Sequence, residues 1–438
     1  MIHNQSFSID FKRNRFIYLY YLLLHIICLS WTNTAMVHPP MVLRLAITAG
    51  VFLPLIKYFW MAPAVIILFV GLRFNSVAPF GYIPQSWDIY EYIILLIAVL
   101  HAVIYKNKKI FRFNNTQVGL FAFLFLIDLV NLQPFSNMFF FSLMLFVLYN
   151  SIQDRESLNL AIFSFIILTI TLSIYYFVFA KEFMVSYYGS HEERSTWVDP
   201  NYFGILLGCG VILSSAFFYK SINFQLNKVY KALFGGCIVL GIMVIALQAS
   251  RGSVLAVGLA MMIQLLLSKN KLYIKLIFLF ITIVGIIYLF QSDYFNLLID
   301  RVKNDDGSGS GRAEVWVSKI NDWASSLFNI LGGGFQSSIY KFTPLRYDCH
   351  NEYVSILLNY GVVGIIALFI LIYRLCRIAR NRTFIWSVVA YISIAFMTLS
   401  PFSCETGWNA CPFLILLLYK FIALDKVGLN LSNKYKIC

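Results

Sequence analysis

Long apolar runs recur from one end of the chain to the other, separated by short polar turns. Runs of this length predict membrane-spanning helices, since a helix needs about 20 mostly apolar residues to cross a bilayer. In chain order they cover Phe16–Trp31, Met41–Ile56, Met61–Leu72, Ile89–Tyr105, Val118–Leu132, Met138–Ile152 and Leu158–Ala180. They continue over Asn201–Tyr219, Leu233–Leu247, Ser253–Leu267, Ile277–Phe290, Tyr353–Tyr373, Phe384–Leu399 and Pro412–Ala423. The second and third runs are short. The stretch from Gln291 to Asn351 holds no run long enough to span and reads as one large external loop.

The polar turns carry an orientation. Lys12, Arg13 and Arg15 precede the first span, and Lys106, Lys108, Lys109 and Arg112 fill a later turn. Further basic turns hold Lys220, Lys228 and Lys231, then Lys269, Lys271 and Lys275, then Arg374, Arg377, Arg380 and Arg382. Basic residues mark cytoplasmic turns. The alternation then closes with both ends cytoplasmic and an even count of roughly 12 to 14 spans. The N-terminal run lacks a small-residue cleavage site and reads as a first anchor rather than a removed signal peptide. Four segments follow: a transmembrane bundle over 1–180, helices with external arginine motifs over 181–290, the large loop over 291–351, and C-terminal spans over 352–438.

Composition agrees. The chain has 438 residues, 60% apolar and 12% charged, against about 45–50% and 25% in soluble domains. A soluble enzyme, a disordered protein and a secreted disulfide scaffold are excluded. The net charge of +14 is spent on the cytoplasmic turns, and no basic, aromatic-interleaved domain is present to bind nucleic acid. The eight cysteines are scattered without paired CxxC motifs, so a zinc or iron–sulfur site has no support. Cys349, Cys404 and Cys411 fall on the external side, where a disulfide or free thiols are both open. No internal repeat supports a transporter built from inverted halves.

Chemistry is expected where charge runs against the trend. Arg194 in Glu-Arg-Ser-Thr-Trp-Val-Asp-Pro-Asn, Arg251 in Ser-Arg-Gly-Ser and Arg312 in Ser-Gly-Arg-Ala-Glu-Val-Trp all fall on the external side. Each alone could be an interfacial anchor. Together they suit a phosphate or diphosphate, which guanidinium binds bidentately and more strongly away from water. His350, in Asp-Cys-His-Asn-Glu-Tyr, stands where the large loop enters the next span. A helix start favours a neutral imidazole, which suits a general base for a hydroxyl nucleophile. A cap or structural hydrogen bond is the other reading, with Asn351 and Glu352 placed to cap or orient the ring. His25 and His101, inside spans, read as structural. Gly307, Gly309 and Gly311 approach Arg312, and Gly332, Gly333 and Gly334 permit close backbone approach or positive φ.

At these positions the sequence resembles a known superfamily. His350-Asn351, nine residues, then Gly361-Val362-Val363-Gly364 is similar to the signature of O-antigen ligases and polymerases. Asp199-Pro200-Asn201, Ser250-Arg251-Gly252 and Gly311-Arg312 followed by Trp316 resemble that superfamily's other landmarks, in the same order, across about residues 190 to 375. The resemblance implies an all-α polytopic membrane protein, GT-C-like, with one large periplasmic loop. It also implies a metal-independent, inverting glycosyltransferase in the bacterial inner membrane, without a cofactor. Its donor would be an undecaprenyl-diphosphate-linked oligosaccharide. His350, Arg312 and Arg251 would be catalytic, and Arg194, Asn201, Asn351 and Tyr353 would bind substrate. A polymerase would join lipid-linked repeat units, with a chain-length regulator as a partner; a ligase would transfer the glycan to lipid A–core. His350-Asn351-Glu352-Tyr353 and the Gly/Ser-rich approach to Arg312 lean towards polymerase. A flippase or transporter is the remote alternative.

Overall fold

The computed structural model describes residues 5–6, 17–23, 49–72, 88–133, 136–177, 200–219, 224–247, 251–268, 272–273, 275–276, 280, 312–342, 349–379, 383–398 and 410–434. Those residues are helical apart from turns and a two-residue parallel pairing of Gln5–Ser6 with Phe224–Gln225. The helices are α1 (Ala62–Leu72), α2 (Asp88–Ile104), α3 (Asn115–Val130), α4 (Asn137–Ser151), α5 (Arg155–Tyr175), α6 (Pro200–Phe218) and α7 (Lys228–Leu247). There follow α8 (Arg251–Leu267), α9 (Arg312–Ala324), the one-turn α10 (Ser337–Tyr340), α11 (Glu352–Ala379), α12 (Thr383–Thr398) and α13 (Ala410–Lys434). Arg155–Ile174, Lys228–Leu247 and Glu352–Arg377 are long and apolar enough to cross a membrane, and shorter apolar helices accompany them.

Local sequence sets the starts. Asn114 and Gln117 form a reciprocal capping box at α3, Asp154 and Ser157 another at α5, and Ser136 caps α4. Each satisfies amides that a helix end leaves open. α5 lies at the centre of the bundle between α1, α6 and α7. Small residues let backbones close up, as in membrane bundles generally. A Cβ on Gly210 would stand 2.0 Å from Thr169 Oγ1 of α5. Buried polar ties fix register: Gln264 of α8 donates to Ser387 Oγ at 2.9 Å and to Ile212 O at 3.1 Å, and Tyr391 of α12 donates to Ile205 O.

Three expectations change. The second run is not a plain span: helical residues 49–52 pass into 3-10 turns at Leu53–Ile56 and Phe59–Met61, while the third, short as expected, is the continuous helix α1. Pro54, in the first of these turns, cannot donate a backbone hydrogen bond. The stretch read as one large external loop is structured over 312–342, with α9 and α10 docked on the bundle. The span beginning at Tyr353 is interrupted, because Gly361 takes φ 66°, ψ −161° inside α11. His101 is structural as expected: its Nδ1 lies 2.7 Å from Ile56 O and its ring stacks on Phe59. The run at Ile277–Phe290 lies almost wholly outside the described residues.

Candidate active site

Three helix starts meet at one end of the bundle. Ser253 Oγ, in the first turn of α8, donates to Asn201 O in the first turn of α6 at 3.0 Å. Gly252 lies against the last residue of α12; a Cβ there would be 2.7 Å from Thr398 Cβ. Arg312, the first residue of α9, donates from Nη1 to Thr398 O at 3.2 Å. Residues of the Pro-Asn, Arg-Gly and Gly-Arg motifs, spread over more than a hundred residues of sequence, are thus contiguous through Thr398. Helix N-termini attract anions through open amides and the helix dipole. Arg251 opens α8 at this point; its side chain, like all of Arg194, lies outside the described residues.

α9 shows one face to the bundle. Arg312, Trp316, Lys319 and Trp323 follow at spacings of four, three and four, which a helix aligns in a stripe. Trp316 Nε1 donates to Cys349 O at 2.6 Å, and both tryptophans pack on Phe342, Cys349 and Leu358. Lys319 is fully buried and its Nζ donates to Ser338 O. A buried ammonium needs such partners, because desolvation of an unpaired charge is expensive.

His350 follows Cys349 directly, with φ 46° in the left-handed region that non-glycine residues rarely adopt. Strained backbone of this kind concentrates at functional sites. It is pinned on both sides. Trp316 holds the Cys349 carbonyl, and Asn351 caps α11, accepting from Val354 N at 3.2 Å. Asn351 is buried in that cap and Glu352 is buried beside it. Tyr353 Oη donates to Ser393 O at 3.3 Å, with its ring between Phe369 and Phe396. Asn351 and Tyr353 therefore spend these groups on the protein itself, whereas His350 stays half-buried. Cys349 and Cys411 are buried, and Cys404 lies outside the described residues.

The glycines after His350 have a specific task. At Gly361 a Cβ would sit 1.9 Å from Ile330 O, and at Gly332 one would sit 2.3 Å from Asn359 O. The 332–338 segment fills the break in α11. Gly333 N donates to Leu358 O and Gly334 N to Asn359 O, both at 2.9 Å. Ser337 Oγ donates to Leu358 O at 3.0 Å, and Ser338 N to Asn359 Oδ1 at 2.8 Å. The carbonyls freed by the break are thus satisfied, as buried backbone must be. The same segment grips α3: Phe335 N donates to Asp128 Oδ1 at 3.2 Å, and Ser136 Oγ donates to Asp128 Oδ2.

Lys319, Asn359 and Asp128 escaped the sequence reading. The signal for Lys319 was its place seven residues after Arg312, and for Asp128 its being a lone acid in an apolar helix. Among the described residues, no group of three His, Cys, Asp or Glu side chains gathers as metal ligands would.

The fold and this site define a membrane-embedded helical protein with motif-bearing basic helix ends gathered at one face. Residues 236–369 match the family described as O-antigen ligase. That match supports the O-antigen polymerase and ligase superfamily, to which the sequence motifs point. It includes Arg251, Arg312, His350 and the Gly361 break, while Arg194 and Asn201 precede it. No curated protein matches the chain.

Proposed function

We propose that the protein is an integral-membrane glycosyltransferase of surface-polysaccharide assembly, acting as an O-antigen polymerase on undecaprenyl-diphosphate-linked glycan at the periplasmic face of the bacterial inner membrane. The observation that carries this reading is the meeting of Asn201, Ser253, Gly252 and Arg312 around Thr398. A diphosphate there would meet guanidinium groups and helix N-termini together, a setting suited to a departing anion.

In the reaction, an acceptor hydroxyl attacks the anomeric carbon from the side opposite the diphosphate. A carbon–oxygen bond to the sugar forms, the bond to the diphosphate oxygen breaks, and the centre inverts. His350 takes the hydroxyl proton. Arg251 and Arg312, with Arg194, hold the diphosphate as its charge develops. Trp316 and Asn351 fix the backbone either side of His350 rather than touching substrate. A chain-length regulator would act on the growing chain.

A ligase that transfers the finished glycan to lipid A–core is the second reading, favoured by the description of the matching family. Complementation separates them. A deletion strain that makes lipopolysaccharide with a single repeat, restored to long chains by this protein, supports polymerase. A strain with no O-antigen on its core supports ligase. Transfer by purified protein without an ion gradient supports an enzyme over a transporter, and its absence with authentic donor and acceptor would overturn the glycosyltransferase reading.

A further inference from the structure

The 3-10 segment Leu327–Leu331 links α9 to the glycine segment. Its apolar side chains point away from the protein: Phe328 is 93% exposed and Leu327 84%, with Ile330 and Leu331 also exposed. In water such a patch would be a liability, and patches of this kind mark interaction or membrane surfaces.

Two observations identify what covers it. The first is continuity. α11 carries an exposed apolar stripe at Val362, Ile366, Phe369 and Tyr373, the pattern of a lipid-facing helix surface. α3 carries another at Leu126, Leu129 and Val130, ending in Leu132. The loop is docked where both stripes end. Ile330 and Leu331 abut Gly361 of α11, and Asn131, following α3, lies against Gly334 and donates to Gly332 O at 3.5 Å.

The second observation is depth. Beyond the break, α11 runs over 362–379, about 27 Å at 1.5 Å per residue, and its 16-residue neighbour α3 is about 24 Å long. The hydrocarbon core is about 30 Å thick. Arg374 and Arg377 near the end of α11 and the Lys106–Arg112 cluster before α3 mark the far side. Gly361 and Asn131 therefore lie at or inside the near hydrocarbon boundary, and the docked loop lies with them. Side chains exposed at that depth meet acyl chains.

We propose that Leu327–Leu331 is a membrane-seated segment, its Leu327 and Phe328 buried among the lipid acyl chains at the boundary on the Arg312 side. The segment then fixes the height of α9. Arg312 and Lys319, on the bundle-facing side of that helix, are held at headgroup level, while the amides of Gly333, Gly334 and Phe335 just beyond the segment stay bonded to α11 and α3. The inference rests on the lipid-facing stripes and not on the reaction assigned above.

The test places the photoreactive residue p-benzoylphenylalanine at position 328, and separately at 327 and at 366, in the full-length protein reconstituted in phosphatidylethanolamine/phosphatidylglycerol nanodiscs. Both loop positions are exposed, so the label leaves the fold intact. After irradiation, intact-mass measurement reads the adducts. The expected result is addition of one phospholipid at 328 and 327, at a yield within about threefold of the lipid-facing reference at 366. Irradiated protein at 328 and 327 without lipid adduct would overturn the proposal and put the loop in water. A cross-link to a second copy, or to another segment of the same chain, would overturn it in favour of a protein-covered surface.

Discussion

Arg312 and His350 are built into the molecule differently, and this separates their expected defects. Arg312 reaches Thr398 through its guanidinium, while its helix is anchored elsewhere by Trp316 and Lys319. Arg312→Ala should therefore accumulate and fold while losing activity. Removal of a desolvated charge-assisted contact costs roughly 2–5 kcal/mol. Lysine should rescue it only in part, lacking the bidentate fork. Arg251→Ala should behave alike, since Gly252 and Ser253 carry the local packing. Wild-type transfer by either alanine variant, assayed with detergent-purified protein and lipid-linked donor, would return that residue to an interfacial anchor. His350 is positioned by its backbone neighbours, through Trp316 on Cys349 O and the Asn351 cap. His350→Ala should lose roughly 10²–10⁴ in rate, the usual worth of a general base, and still bind donor through the arginines. Gln at 350 should keep some activity if orientation of the acceptor matters. Loss of donor binding together with rate would move His350 into the diphosphate site, and an unchanged rate would leave it as a helix-entry residue only.

At the scale of elements, the break in α11 organises the site end of the bundle, because one glycine lets a loop enter a helix. Gly361 occupies a region of φ/ψ space close to glycine-only, where another residue costs about 1–3 kcal/mol before any clash. A Cβ there also strikes Ile330 O. Gly361→Ala should lower the melting temperature and open the 327–342 segment to protease, with activity falling as α9 loosens. Gly258→Ala in α8, where a Cβ meets nothing within 4 Å, should be neutral or slightly stabilising, since alanine is the better helix former by about 1 kcal/mol. Identical digestion and melting for Gly361→Ala and wild type would show that the break does not hold the loop. The helices were largely legible from apolar runs, and the motif residues from their unexpected charge. The break, the docked loop and the buried Lys319 were not, because hydropathy reports which residues avoid water and says nothing of which carbonyls a helix surrenders. Gly361 was legible as part of the signature that begins at His350, but only its φ and the amides of Gly333 and Gly334 reveal it as a break. Lys319 reads as a solvated charge until Ser338 is seen to receive it.

For the whole molecule, the alternation inferred from basic turns can be compared with which helix ends touch. Ends assigned to the cytoplasmic side meet one another: Tyr18 with Glu156 at 2.9 Å, Asn150 with Ile110 O at 2.9 Å, and Thr383 with Leu267 O at 3.2 Å. Ends assigned to the other side meet in the Asn201, Ser253, Thr398 and Arg312 chain and in the contact of Asp128 with Phe335. Neither set crosses over. Lys106, Lys108, Lys109 and Arg112 stand in the turn that carries Ile110, at the first end, which is the end the proposed orientation puts in the cytoplasm. Among the described residues of the second end, Arg312 and Lys319 are bonded to the protein. Contacts among the described residues thus sort the helix ends into two faces, and the proposed orientation rests on the charge of the turns between them. Alkaline phosphatase, active only after export, tests the remaining step. A fusion after Ser310, just before α9, should be highly active, and one after Arg380, between α11 and α12, should be nearly silent. High activity at Arg380 with silence at Ser310 would put the arginine-rich helix starts on the cytoplasmic face. That would remove the periplasmic glycosyl-transfer reading, because a donor presented to the periplasm could not reach them.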